Sequence, residues 1–182
     1  MIQTYRKNDS QKLSEHFTLA EFRCKCGRNH DTLLDSALIE KLEALREKLE
    51  CSKIIVNSGY RCPDHDRAVG GNGGGMHTKG QAADIVCYDK QGNKYPSGVV
   101  CCAAQDIGFG GIANIDSTYT AVHVDTRSGC KWYGDEAVKG GTTSSVCSDF
   151  YDYYCGVISK AEKKTGTAEI NGVKYKITLE KT

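Results

Sequence analysis

Four short apolar segments in the middle of the chain are the feature that most constrains how it folds. Residues 53–57 and 81–87 are rich in β-branched and small apolar side chains, and residues 108–115 are apolar and glycine-rich. In residues 120–125, alternation places His123 on the opposite face from its two valine neighbours. Segments of this length and composition are typical of buried strands, so we predict that the four form a sheet.

Two further segments have the periodicity of amphipathic helices. Residues 35–50 carry leucines at helical spacing with charged residues on the other face, and Asp35 or Ser36 is predicted to cap this helix. Residues 97–107 form a second predicted helix, and the aromatic residues 148–154 form a third. The leucines of the first helix are Leu38, Leu42, Leu45 and Leu49.

The length of 182 residues fits one domain with a small appendage. We predict a main domain over residues 14–155, followed by a linker and a C-terminal β-hairpin over residues 156–182. Residues 161–166 have the polar composition of a linker. Asn171 and Gly172 form the preferred two-residue hairpin turn, and apolar residues alternate after it.

The composition excludes several classes of function. The formal net charge is +1, whereas a nucleic-acid-binding surface needs a clear excess of basic residues, so we expect no nucleic-acid partner. No apolar run approaches the roughly 20 residues that span a bilayer, so we expect no membrane association. Residues 1–14 are polar and lack the apolar centre of a signal peptide, which predicts synthesis in the cytoplasm.

Ten cysteines are many for a chain that is predicted to be made in the cytoplasm. Free thiols are then the default, although an even count also permits disulfide bonds. Cys24 and Cys26 are separated by one residue, and this pair could contribute to a second metal site. No neighbouring Cys or His pair completes the spacing of a zinc ribbon, so both the second metal and the redox state of the thiols stay open.

Three residues that are distant along the chain have the chemistry of a zinc site. His77 ends a glycine-rich loop, Asp84 lies on the strand predicted after it, and His123 lies on another predicted strand. Imidazole nitrogen and carboxylate oxygen bind zinc, and a catalytic zinc takes three protein ligands and keeps an open position for water. Gly80 and the alanines after it allow a tight turn between His77 and Asp84. Each residue alone also fits a surface histidine or a solvated carboxylate.

Around these positions the chain resembles the zinc D-alanyl-D-alanine carboxypeptidase and dipeptidase family. The family pattern is a Ser-Gly-Tyr-Arg segment, a His, an Asp after six further residues, and a later His in a strand. Here these are residues 58–61, His77, Asp84 and His123, and residues 123–127 match the His-Val-Asp-Thr-Arg sequence of one subgroup. The family includes phage endolysins that cut the L-alanyl-D-glutamate bond, and it shares its fold with the hedgehog signalling domain.

The resemblance covers about residues 14–154, and it implies both a fold and a cofactor. The fold would be α+β, with a small antiparallel sheet, flanking helices and the zinc site on the sheet face. The cofactor would be Zn²⁺, held by His77, Asp84 and His123. Arg61 would steady a substrate carboxylate or the developing oxyanion. A structural ion pair is the alternative role for Arg61.

Two positions depart from the family pattern. Gly75 replaces a Ser two places before the first ligand. Thr120 stands three residues before His123, where many relatives carry a catalytic Glu. We therefore predict that Asp125, two residues beyond His123 on the same strand face, accepts the proton as catalytic base. The alternative is that Asp125 supports a metal ligand.

The resemblance favours a zinc peptidase that acts, as a monomer, on the peptides of bacterial peptidoglycan after release from the cytoplasm. One version is an endolysin-like endopeptidase that cuts stem peptides or cross-links. A second is a carboxypeptidase or dipeptidase that acts on D-alanyl-D-alanine. A third, which the missing Glu leaves open, is a zinc-stabilised binding module without turnover.

Overall fold

Strands and short helices alternate along the chain in the computed structural model, which describes residues 1–136, 145–155, 165–170 and 173–178. The strands are Ile2–Tyr5 (β1), Thr32–Asp35 (β2), Lys53–Ser58 (β3), Ala82–Tyr88 (β4), Gly111–Asn114 (β5), Val122–Asp125 (β6), Trp132–Asp135 (β7), Thr165–Ile170 (β8) and Val173–Thr178 (β9). The α-helices are Leu19–Phe22 (α1), Ser36–Lys48 (α2), Pro63–Ala68 (α3), Ser97–Ile107 (α4) and Phe150–Cys155 (α5). A 3₁₀ turn, His77–Lys79, precedes β4.

The central sheet contains five strands in the order β3-β4-β6-β5-β7, which confirms the predicted α+β fold. All four segments that the sequence predicted to form a sheet lie in this one, and its fifth strand, β7, was not predicted. Neighbouring strands are antiparallel except β5 and β7, which run parallel. The sheet differs from the expected antiparallel arrangement only at this edge, because the chain reverses direction twice between β5 and β7.

The hydrophobic core lies between one face of the sheet and the helices α2 and α4, which contact each other and the sheet. Val122 and Val124 are fully buried on this face, so alternation leaves His123 on the other face. Asp35 caps α2 as predicted, since its carboxylate accepts a hydrogen bond from the Ala37 N–H. No helix in the described ranges is long and apolar enough to cross a membrane.

A second sheet, which the sequence did not predict, pairs β1 with β2. β1 is polar and mostly exposed, so it lacks the apolar alternation of a half-buried strand. Its partner β2 ends in two buried residues, Leu34 and Asp35, and continues directly into α2.

A third sheet is the predicted C-terminal hairpin of β8 and β9, whose register pairs Thr165 with Thr178. The first strand begins earlier than expected, so Thr165 and Gly166 are not part of the predicted linker over residues 161–166. The two strands are paired over six residues each, and this pairing extends β8 back to Thr165. The rest of that linker and the turn at Asn171 and Gly172 lie outside the described residues.

Gly80 carries the chain from the 3₁₀ turn into β4 and allows β2 to approach closely. Its φ is +71°, in the left-handed region, and a Cβ at this position would lie 2.4 Å from the backbone carbonyl of Leu33. The Asp35 N–H donates to the Gly80 carbonyl at 2.8 Å. These contacts hold the turn that carries His77 against β2.

We expect Gly80→Ala to lower the free energy of unfolding by more than the roughly 1–2 kcal/mol that a left-handed alanine costs, because its methyl group also overlaps β2. Gly92→Ala is the matched control, since Gly92 has a φ of +85° but no atom within 4 Å of the position that an added methyl group would take. Urea unfolding of both variants measures the difference. Equal losses would show that β2 does not constrain the turn.

Candidate metal centre

Asp84 and His123 lie directly opposite one another on β4 and β6, and His77 approaches them from the 3₁₀ turn. Asp84 Oδ1 lies 3.0 Å from His123 Nδ1 and 3.2 Å from His77 Nε2, and these two nitrogens are 3.2 Å apart. The structure therefore brings the three predicted ligands together, in an arrangement that we call the ligand triangle. Bonds from one zinc ion to such atoms hold them about 3–3.5 Å apart, so the triangle has the size of a zinc site.

Hydrogen bonds outside the triangle orient both imidazole rings for metal binding. His77 Nδ1 lies 2.7 Å from the carbonyl oxygen of Gly59, which can only accept, so this nitrogen donates and Nε2 keeps its lone pair. His123 Nε2 lies 3.1 Å from Asp125 Oδ2, and its Nδ1 faces Asp84 Oδ1. Burial opposes protonation of His123, but the bonds to Asp125 and Asp84 raise its pKa to about 9, so a metal that binds Nδ1 displaces a proton from it. Nε2 of His77 and Nδ1 of His123 are thus the nitrogens that face the triangle.

Asp84 uses one carboxylate oxygen in the triangle and the other to bind Arg61. Its Oδ1 faces the imidazoles, while its Oδ2 accepts a short hydrogen bond from Arg61 Nη2. Burial opposes ionisation, but the bonds to His123 and His77 outweigh it and hold the pKa of Asp84 far below its ordinary value. A carboxylate that stays ionised is the form that binds a metal.

Arg61 lies at the site, where ion pairs and a hydrogen bond fix it. Besides its bond to Asp84, it lies 3.6 Å from Asp66 Oδ1 and donates from Nε to Ser58 Oγ at 2.8 Å. These contacts correspond to the structural alternative that the sequence left open for Arg61. Its role toward a substrate stays a prediction.

Asp125, the predicted base, lies at the outer edge of the His123 ring, away from the triangle. It is fully buried, and its carboxylate accepts bonds from the Arg127 side chain as well. Burial opposes ionisation, but the bonds to His123 and Arg127 hold the pKa of Asp125 far below its ordinary value. This geometry favours the supporting role over that of base, because a strongly acidic carboxyl is a weak proton acceptor.

Glu136 is the residue that sequence reasoning missed. It directly follows β7, and its half-buried carboxyl lies within electrostatic reach of His123, Asp84 and Arg61. Burial is the main cause that raises the pKa of Glu136, and the negative charge of Asp84 adds to it, while His123 and Arg61 oppose it. The sequence carried no signal for it, because β7 was not among the predicted strands and Glu136 lies just beyond its end.

The floor beside the ligand triangle is made of small residues. Across the sheet, His123 is level with Ala113, and Ala113 is level with Gly134. The Trp132 ring lies over this row, with its centroid 5.9 Å from that of His123. Trp132 is therefore on the metal face. Its neighbour Tyr133 is buried in the core, where it stacks on Phe150.

Comparison with known proteins adds a family match. The family model described as Peptidase M15 matches residues 15–125. The matched range includes the ligand triangle and Asp125, and it ends before Glu136. No curated protein shows a significant match to the chain.

We expect His77→Ala to lower the zinc bound per chain by one equivalent, because two remaining donors hold the ion poorly. His65→Ala is the control, since His65 lies on α3 outside the triangle. Asp125→Asn should weaken zinc binding by about 10–100-fold, as loss of a ligand-orienting bond does. Elemental analysis and zinc titration measure these effects. Full zinc retention by His77→Ala would refute the triangle as a metal centre.

Proposed function

Since the chain belongs to the peptidase M15 family of metal-dependent peptidases, we propose that it is a zinc peptidase that hydrolyses bonds in the stem peptides or cross-links of bacterial peptidoglycan. The observation that carries this proposal is the ligand triangle, in which one carboxylate oxygen and two imidazole nitrogens lie within 3.2 Å of one another and contacts outside the triangle orient both rings. The peptidoglycan substrate rests on the sequence resemblance.

His77, Asp84 and His123 would hold the zinc ion. When bound there, zinc would lower the pKa of a water ligand and polarise the carbonyl of the scissile bond. The remaining chemistry falls to side chains around the triangle: one must accept a proton, and others must keep the ligands aligned.

Glu136 is our candidate for the proton acceptor. Burial raises the pKa of Glu136 above its ordinary value, and a carboxylate with a raised pKa is a stronger proton acceptor. Asp125 fits this role less well, because it is fully buried and already bonded to both His123 and Arg127. In this scheme Glu136 takes a proton from the attacking water and passes it to the leaving amine, while Asp125 orients His123.

The arginines around the triangle favour an endopeptidase over a carboxypeptidase. An enzyme that removes a terminal residue needs a cation that is available for the substrate carboxylate. Arg61 is paired with Asp84 and Asp66, and Arg127 is paired with Asp125. The ion pairs of Arg61 still leave some of its five N–H donors for a developing oxyanion, which needs a hydrogen bond rather than an unpaired cation.

We expect Glu136→Gln to reduce kcat by about 10²–10⁴-fold with zinc content unchanged, since the amide cannot accept the proton. Glu47→Gln, an exposed change on α2, is the control and should behave like the wild type. The measurements are peptidoglycan hydrolysis and bound zinc. Normal turnover by Glu136→Gln, together with a zinc-loaded but inactive Asp125→Asn, would return the role of base to Asp125.

We expect digestion of intact muropeptides to release fragments cut inside the stem peptide or cross-link, without release of free D-alanine. Mass spectrometry of the products, beside an assay on free D-alanyl-D-alanine, measures this, and His77→Ala protein is the control. Release of D-alanine alone would favour the carboxypeptidase or dipeptidase. A zinc-loaded wild type that yields no product would favour the binding module.

A further inference from the structure

Four metal-binding side chains meet at a second place, between α1 and α3. Cys24, Cys26 and His30 follow α1, and Cys62 is the residue that caps α3. Their ligand atoms all lie within 4.8 Å of one another, and Cys26 Sγ is 3.1 Å from His30 Nε2. All three cysteines carry free thiols. We call these four residues the cysteine cluster.

Each sulfur of the cluster accepts a hydrogen bond from a backbone N–H. The Cys62 N–H donates to Cys24 Sγ at 3.3 Å, the Arg28 N–H to Cys26 Sγ at 3.4 Å, and the His65 N–H to Cys62 Sγ at 3.4 Å. Contacts of this kind, from groups behind the ligand atoms, orient the ligands of a metal site.

The histidine of the cluster is also oriented for metal binding. His30 Nδ1 lies 2.9 Å from the carbonyl oxygen of Asp31, which can only accept, so Nδ1 donates and the lone pair is on Nε2. This is the nitrogen that faces Cys26. The guanidinium of Arg28, whose Nη2 lies 3.5 Å from Cys62 Sγ, supplies positive charge beside the sulfurs.

Three sulfurs and one imidazole nitrogen make a complete tetrahedral donor set for zinc. Four protein ligands leave no open position, which is the property of a structural site. The ligand triangle, by contrast, offers three ligands and leaves a position free. The two sites therefore suit different uses of the same metal.

We propose that Cys24, Cys26, His30 and Cys62 bind a second, structural zinc ion that clamps the segment before α3 onto the end of α1. Gly59 and Arg61 of the ligand-triangle surroundings lie in that segment. The Tyr60 N–H donates to the Phe22 carbonyl at 2.8 Å. A Cβ on Gly59 would lie only 2.6 Å from Phe22 Cα, so the two backbones are in close contact.

The clamp links the cluster to the orientation of His77. The carbonyl of Gly59 fixes the tautomer of His77, and Arg61 holds Asp84, while Cys62 follows directly. A zinc ion on Cys62 would thus anchor the chain next to residues that align two ligands of the triangle. The clamp does not depend on peptidase activity.

Zinc counting on the full chain, purified with reductant and limiting zinc, tests the proposal. The wild type should bind two equivalents and Cys26→Ala one, while Cys130→Ala, an exposed cysteine outside the cluster, should keep two. His77→Ala should keep one ion on the cluster. Its cobalt derivative should then show thiolate-to-cobalt charge-transfer absorption, which a Cys26→Ala/His77→Ala double variant should lack.

A cobalt-loaded His77→Ala protein without that absorption would overturn the proposal, as would a disulfide joining two cluster cysteines in the reduced preparation by mass spectrometry. Failure of the peptidase assay alone would leave these readouts unaffected, so the two proposals fail separately. Hydrogen exchange at the Tyr60 amide tests the clamp. It should rise at least tenfold in Cys26→Ala but not in Cys130→Ala, and unchanged exchange in a variant that has lost the zinc would refute the clamp.

Discussion

The register between β4 and β6 is the constraint on which the rest of the site depends. It places Asp84 opposite His123, so two donor atoms meet without any loop having to position them. Because side chains alternate between faces, a slip of one residue would turn His123 into the core and the buried valines toward the site. The apolar packing of Val122 and Val124 thus enforces the same register that the metal centre requires.

The site also places charged side chains in a buried position, where water solvates them least. Asp84 and Asp125 both contact His123, one at each ring nitrogen, and both are buried. Two such carboxylates would repel each other and lose hydration, and an arginine on each, Arg61 and Arg127, offsets this cost. Arg127 is itself held over the Trp132 ring at 5.0 Å, so the counter-charge of Asp125 depends on β7.

Local patterns in the sequence were enough for four of the five strands of the central sheet and for its main helices, but not for β7. The leucine spacing predicted α2 and alternation predicted β6, because each depends on a single buried face. β1 was missed because its burial is slight and its pairing is with a strand distant along the chain. The ligand triangle was predicted from a family pattern, since spacing alone does not bring His77 to His123.

The residues that sequence reasoning missed near the metal sites share one property, which is that their positions depend on contacts between distant segments. Glu136 reaches the triangle only because β7 crosses to the far side of β5 and runs parallel to it. His30 and Cys62 complete the cluster around Cys24 only because the end of α1 packs against the start of α3. Neither arrangement leaves a periodic or spaced signal in the residues themselves.

A catalytic metal centre needs a rigid geometry, but it also needs an open position on the metal. These demands conflict, because a metal with fewer protein ligands restrains fewer side chains. In this chain the restraint comes from outside the triangle: Asp125 holds one ring and the Gly59 carbonyl holds the other. The Gly59 backbone is in turn pressed against Phe22, two residues before Cys24. A closed metal site at the cysteine cluster would stiffen this support without occupying the open position, so a structural ion there would serve the metal centre.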